Sequence, residues 1–160
     1  MDTVIKTFSE LTAAEFYEIL RTREAVFIVE QTCPYPEADG RDYDAVHYFY
    51  REPDGRVAAY LRLYPKAGEP GTIQVGRVVT AGTARGTGLG RRILHEGVRY
   101  AIEKMGAERL YLEAQTYAVG FYEKEGFSVC SGEFLEDGIP HVRMRREAKL
   151  QSGRPDVPST

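Results

Sequence analysis

The stretch from Val75 to Gly90 reads V-G-R-V-V-T-A-G-T-A-R-G-T-G-L-G, and Arg91-Arg92-Ile93-Leu94 then opens a helical pattern. An apolar run, a loop with alternating glycines and a helix start make a geometry for holding phosphate. The first N–H groups of a helix lack intrahelical partners and sit at the positive end of its dipole. Glycines at Gly86, Gly88 and Gly90 let main-chain amides approach an anion with no Cβ in the way. Two common phosphate loops fail on residue identity. A Walker loop needs Lys followed by Ser or Thr after its last glycine, and here Arg91-Arg92 follow Gly90. The dinucleotide fingerprint needs G-x-G-x-x-G, and these glycines are one residue short of it. The segment spells R-x-x-G-x-G at Arg85, Gly88 and Gly90.

A second segment follows in order. Leu112-Glu113-Ala114-Gln115 ends an alternating run, Ala118 comes next, and Phe121-Tyr122-Glu123-Lys124-Glu125-Gly126-Phe127 spells F-Y-E-K and then G-F. The first segment resembles the pyrophosphate loop of the GNAT family of N-acetyltransferases. The second resembles the family's next signature, a strand, a short helix carrying F-Y-E-K, and G-F at the start of another strand. A narrower likeness, to the ElaA-like branch, rests on Arg23 to Gln31, Cys33-Pro34-Tyr35, Asp39-Gly40 and Glu136-Asp137-Gly138-Ile139-Pro140-His141. The resemblance implies an acyl-CoA N-acyltransferase fold, an α/β (α+β) protein with a central, mostly antiparallel mixed sheet flanked by helices. It also implies acetyl-CoA as co-substrate, a primary amine of a small molecule or peptide as acceptor, and no metal. A module that binds acyl-CoA without turning it over is the competing class.

The same resemblance assigns roles. Main-chain amides from Arg85 through Gly86, Thr87, Gly88, Leu89 and Gly90 to Arg91 would hold the pyrophosphate, with charge-assisted contacts from Arg85 and Arg91. The strand containing Val78, Val79 and Thr80 would run along the pantetheine arm, an N–H near Val78 facing the thioester oxygen as charge develops. Gln115 stands where many relatives carry an asparagine that contacts the cofactor. Tyr122 takes the position of the general acid, and a phenol whose ordinary pKa is about 10 keeps its proton at neutral pH. The chain has 11 tyrosines, so only its place within F-Y-E-K singles this one out. The base stays open among Glu113 at a strand end, Glu30 at the end of the early helical region, and His141, histidine being the side-chain type suited to proton exchange at neutral pH. A chain of waters is the other route.

These residues need elements to position them. Thr3 to Phe8 reads as a strand, and Leu11 to about Gln31 as a helical region with Thr12 and Glu15 at capping-box spacing. His47 to Arg51 and Arg56 to Tyr64 form a hairpin across Pro53-Asp54-Gly55. Thr72 to Thr80 is a strand, and Leu89 to Met105 an amphipathic helix stopped by Gly106. Arg109 to Ala114 is a strand, Ala118 to Glu125 a short helix, and Phe127 to Ser131 and Pro140 to Arg146 the last strands. The loop carrying Glu37, Asp39, Asp42 and Asp44 is acidic, either merely solvated or an attractor for a cationic amine.

Composition bounds the rest. The 160 residues suit one domain, residues 1–147, with a polar tail, 148–160, expected to be disordered. A net charge of -3 argues against a general nucleic-acid binder. No apolar run is long enough to span a bilayer and the start lacks a leader pattern, so the expected setting is cytoplasmic, with no membrane partner. Cys33 and Cys130 make no metal pattern, and the three histidines are too scattered to suggest a metal site. A homodimer is the default assembly.

Overall fold

The computed structural model describes residues 1–30 and 37–149, the side chains of 29 and 30 excepted. The motif Cys33-Pro34-Tyr35 and the tail from 150 onward therefore lie outside the described residues. In chain order the elements are β1 (Asp2–Thr7), α1 (Ala13–Arg23), β2 (Val46–Arg51), β3 (Val57–Pro65), β4 (Thr72–Thr80), α2 (Leu89–Lys104), β5 (Arg109–Gln115), α3 (Val119–Glu123), β6 (Ser128–Val129), β7 (Phe134–Glu136) and β8 (Ile139–Glu147). They build one sheet in the order β1-β2-β3-β4-β5-β8-β6, with β7 hairpinned onto β8. Every pairing is antiparallel except β4 with β5, which run parallel on either side of the α2 crossover. The sheet is the mixed, mostly antiparallel one that the resemblance implies.

Local chemistry sets the element ends. Thr12 accepts the Glu15 amide at 3.0 Å while Glu15 accepts the Thr12 amide at 2.9 Å, the reciprocal capping box that starts α1. The helical region then loosens into a π-helix over Glu24–Glu30. β3 is buried on both faces, all but its last residue, because helices cover both sides of the sheet. On one face Leu61 and Leu63 pack with Ile93, Leu94 and Val98 of α2. On the other, Tyr60 and Phe49 pack with Ile19 of α1.

Three expectations change. The short helix over 118–125 shrinks to α3, preceded by a 3-10 turn at Thr116–Ala118. The strand expected from Phe127 to Ser131 contributes only Ser128 and Val129 to the ladder. β7 has no counterpart in the sequence reading; its three residues gain strand geometry from pairing with β8.

Candidate active site

A cleft of ≈ 830 Å³ opens where the sheet comes apart. β4 and β5 are paired only over Thr72–Gln74 and Arg109–Tyr111, and beyond that point the strands splay. A bulge in β4 assists the parting. Tyr60 pairs with Val79 and Arg62 with Gly76, so Leu61 faces two residues, Arg77 and Val78. Arg77 takes φ +51 to make the extra turn, a left-handed conformation that non-glycine residues adopt at a cost. The bulge frees the Val78 region from a regular ladder just where the cleft begins.

The glycine loop lies between β4 and α2. Gly86 and Gly88 take φ +80 and +82, and Gly88 caps α2 without any side-chain bond. Among the described residues, none accepts a hydrogen bond from the amides of residues 86–91, and the first intrahelical donor is Arg92, to the Gly88 carbonyl at 3.1 Å. Arg85, Gly86, Thr87 and Gly88 are exposed, while Ala84 is buried and Leu89 and Gly90 are half-buried. Gly90 serves packing instead, because a Cβ there would sit 2.9 Å from Thr80 Oγ1. Its lack of a side chain lets α2 start directly against β4. Arg85 and Arg91 are both exposed on this loop. A row of open amides at a helix N-terminus with cationic neighbours fits a diphosphate.

Val78, Gln115, Tyr122, Glu113 and His141 line one cleft, so residues far apart in sequence meet. Val79 does not join them; its side chain is 4% exposed and belongs to the core around α1, leaving only its main chain for a ligand. Tyr122 stands edge-on to Phe121 at 5.1 Å and to Phe127 at 6.2 Å. Burial pushes its phenol well above the ordinary range, with Tyr117 adding to the effect. The hydroxyl makes no hydrogen bond to the described residues, which leaves its proton available to a ligand in the cleft.

Across the cleft, strand register brings a carboxyl pair together. Glu113 accepts from the Tyr111 hydroxyl at 2.8 Å. Burial, and then the hydrogen-bonded carboxyl of Glu113, push Glu136 above the usual carboxylate range. His141 pairs with Gln115 across the β5–β8 ladder, stacks on Phe134 at 5.9 Å, and lies 2.7 Å through Nδ1 from the Ile139 carbonyl. A carbonyl can only accept, so Nδ1 carries the hydrogen and, in the neutral ring, Nε2 keeps a lone pair. Sequence reasoning missed Glu136; its only signal was membership of the Glu136-to-His141 run. The side chain of Glu30 lies outside those described; its backbone ends the π-helix.

Of the four acidic side chains in the loop, Asp44 is exposed, whereas Glu37, Asp39 and Asp42 are paired with arginines. Arg23 and Arg62, which hold them, are 0% and 2% exposed. Arg23 pairs with Glu37 and donates to Asp42 at 2.8 Å. Arg62 donates to Asp39 at 3.0 and 2.5 Å and to Asp42 at 2.9 Å. Arg77 reaches Glu37 at 3.3 Å and Asp39 at 3.5 Å. Burial works to raise both aspartates, but hydrogen bonds from Arg62 to Asp39 and from Arg23 to Asp42 outweigh it. Asp39 falls to about 2 and Asp42 drops below its usual range. Among the described residues no cluster of three or more metal-type ligands occurs, and no helix is long and apolar enough to cross a membrane.

Comparison with known proteins agrees with this architecture. The family model described as acetyltransferase (GNAT) domain matches residues 5–148. A UPF0039 protein of Schizosaccharomyces pombe is 38% identical over 148 residues, covering 92% of this chain and 97% of that one. Crystal structures described as an acyl-CoA N-acyltransferase from Pseudomonas aeruginosa and as Escherichia coli ElaA superpose with TM-scores of 0.84 each. They are 38% and 31% identical, and each comparison covers 91% of this chain and 99% of the other.

Proposed function

The chain belongs to the GNAT acetyltransferase family, in its ElaA-like branch, and we propose that it carries an acetyl group from acetyl-CoA to a primary amine of a small molecule or peptide. Family and fold support acyl-CoA-dependent acyltransfer. The finer reading rests on one observation: a run of open main-chain amides at the start of α2 leads, along β4, into a cleft lined by Val78, Tyr122, Glu113 and His141.

Each group then has a task. The amides from Gly86 to Arg91 hold the diphosphate, and Arg85 and Arg91 add charge. Val78, beside the bulge, offers its N–H to the thioester oxygen as negative charge builds there. Glu113 and Glu136 offer carboxyl oxygens on the cleft wall that draw in an ammonium group. His141 accepts the ammonium proton at Nε2, because its Nδ1 is committed to the Ile139 carbonyl. The neutral amine attacks the carbonyl carbon, the carbon–sulfur bond breaks, Tyr122 gives its proton to the departing sulfur, and the second proton shed by the amine nitrogen restores the Tyr122 hydroxyl through water. Gln115 supplies an amide to the pantetheine arm. Residues 1–147 act as one catalytic unit.

The test is turnover of acetyl-CoA against polyamines, aminoglycosides, amino acids and peptides, alongside calorimetry with CoA. Acetylation of an amine supports the reading. CoA binding with no product from any acceptor class replaces it with the acyl-CoA sensor, and no heat with CoA removes both.

A further inference from the structure

Among the described residues, Arg77 and Asp137 are the two non-glycine residues with a left-handed backbone. Asp137 precedes Gly138 in the two-residue turn between β7 and β8, where an Asp-Gly pair adopts that conformation as a matter of course. Arg77 lies inside β4 and closes no turn. A residue stays in such a conformation only where its surroundings hold it there.

Two ladder pairs pin the chain on either side, Gly76 opposite Arg62 and Val79 opposite Tyr60. Between those pins, the torsions of Arg77 set the direction of the peptide group that carries the Val78 N–H. The side chain supplies the hold. Its Nε lies 3.3 Å from Glu37 Oε1, and its Nη2 lies 3.5 Å from Asp39 Oδ2 and 3.5 Å from the Glu37 carbonyl. Those partners are already fixed. Glu37 is paired with Arg23, and Asp39 accepts from Arg62 at 3.0 and 2.5 Å. Arg23 at the end of α1 and Arg62 in β3 are both buried. The guanidinium of Arg77 thus docks on an acidic bracket that two buried arginines keep in place. Turning Arg77 to an extended backbone would swing its Cβ away from that bracket, so the ion pairs and the left-handed form sustain each other.

We propose that Arg77 is a positioning residue for acyl transfer: its ion pairs with Glu37 and Asp39 lock the β4 bulge in the form that presents the Val78 N–H to the thioester oxygen. This rests on the acetyltransferase reading and deepens it. Arg77 plays its part through the backbone it belongs to, and the oxyanion donor remains the main chain of Val78.

The experiment compares Arg77→Ala, Arg77→Gly and Arg77→Lys in the full chain. Glu37 keeps Arg23 and Asp39 keeps Arg62 in each variant, so no buried carboxylate is orphaned and all three are expected to fold. Turnover is followed with the fastest amine of the polyamine, aminoglycoside, amino-acid and peptide panel, CoA affinity by calorimetry, and stability by the thermal midpoint. The Val78 amide resonance of isotope-labelled protein is compared between the CoA and acetyl-CoA complexes without amine. In Arg77→Ala kcat is expected to fall about ten- to hundredfold, part of the roughly 10²–10³ that one oxyanion donor is worth, with CoA affinity little changed. Glycine takes a positive φ without strain and lysine keeps a charge on the bracket, so both variants are expected to retain more kcat than Ala. A purely structural role predicts the reverse order for Gly, because glycine weakens a strand, and losses that follow the thermal midpoint. The Val78 amide proton is expected to move downfield from the CoA to the acetyl-CoA complex in the wild type, and that difference to vanish in Arg77→Ala. A kcat close to wild type in Arg77→Ala overturns the proposal, as do Gly at or below Ala and a wild-type amide indifferent to the acetyl group. Should Arg77→Ala not fold, Arg77→Gly decides: lower kcat and a weakened amide shift support the lock, and wild-type values for both overturn it. No product from any amine, with CoA still bound, removes the transferase reading; the amide comparison then decides the lock by itself.

Discussion

Replacing Tyr122 by Phe tests the proton donor most directly. Its hydroxyl bonds to none of the described residues, and the ring contacts with Phe121 and Phe127 are kept by phenylalanine. The change in stability is therefore expected to stay within about 0.5 kcal/mol, as for substitutions away from any special feature. Turnover is another matter. Proton donation to a leaving group is typically worth about 10²–10⁴-fold. At about 1.36 kcal/mol per decade that is roughly 3–5 kcal/mol of barrier. The assay is acetyl-CoA consumption at saturating amine, followed by thiol release, with CoA affinity measured separately by calorimetry. The expected outcome is kcat down by about a hundredfold or more, with CoA affinity little changed. A pH series sharpens it. Burial lifts the phenol above its ordinary 10, so the donor keeps its proton through the neutral and mildly alkaline range. Any fall in kcat below about pH 9 must then come from another group and must persist in the variant. A kcat within twofold of wild type would refute the role of Tyr122.

Three further outcomes follow from particular contacts. Gly90→Ala puts a methyl 2.9 Å from Thr80 Oγ1, so Thr80 must change rotamer or α2 must back away from β4; the expected cost is about 1–3 kcal/mol of stability with weakened CoA binding, and Thr80→Ala should restore part of both in the double variant. Arg62→Met leaves Asp39 and Asp42 short of a buried cation and should destabilise the fold by about 3–5 kcal/mol in urea unfolding, more than any surface arginine change. Asp39 has a folded pKa of about 2 against an ordinary 3.8, so its contribution is present above about pH 4 and is lost as pH falls from there toward 2. That contribution is roughly 2 kcal/mol, and acid titration of Asp39→Asn should lack that segment of the curve; an unchanged acid profile would count against the Arg62–Asp39 pair.

What could be read from the chain, and what could not, divides by the distance over which the cause acts. The capping box at Thr12 and Glu15, the left-handed glycines of the loop before α2 and the amphipathic stripe of α2 are set by residues within a few positions of each other, and each is legible in order along the sequence. The place of Tyr122 in the cleft wall was legible because a short motif carries it. Glu136 was not: it reaches Glu113 only because β7 folds back on β8 and β8 pairs with β5, two registers that no local pattern encodes. The arginine cluster misled for the same reason. A run of Glu37, Asp39, Asp42 and Asp44 looks like a solvated face, since the cations that pair with three of them come from α1, β3 and β4. The bulge is the sharpest case. Arg77 has no residue-type signal for φ +51, and Gly76 beside it invites the reverse assignment. Arg77 bears the left-handed conformation and uses its side chain to tie Glu37 and Asp39 to the strand. A strain cost of about 1–2 kcal/mol at Arg77 is then the consequence of parting β4 from β5 within one short bulged segment.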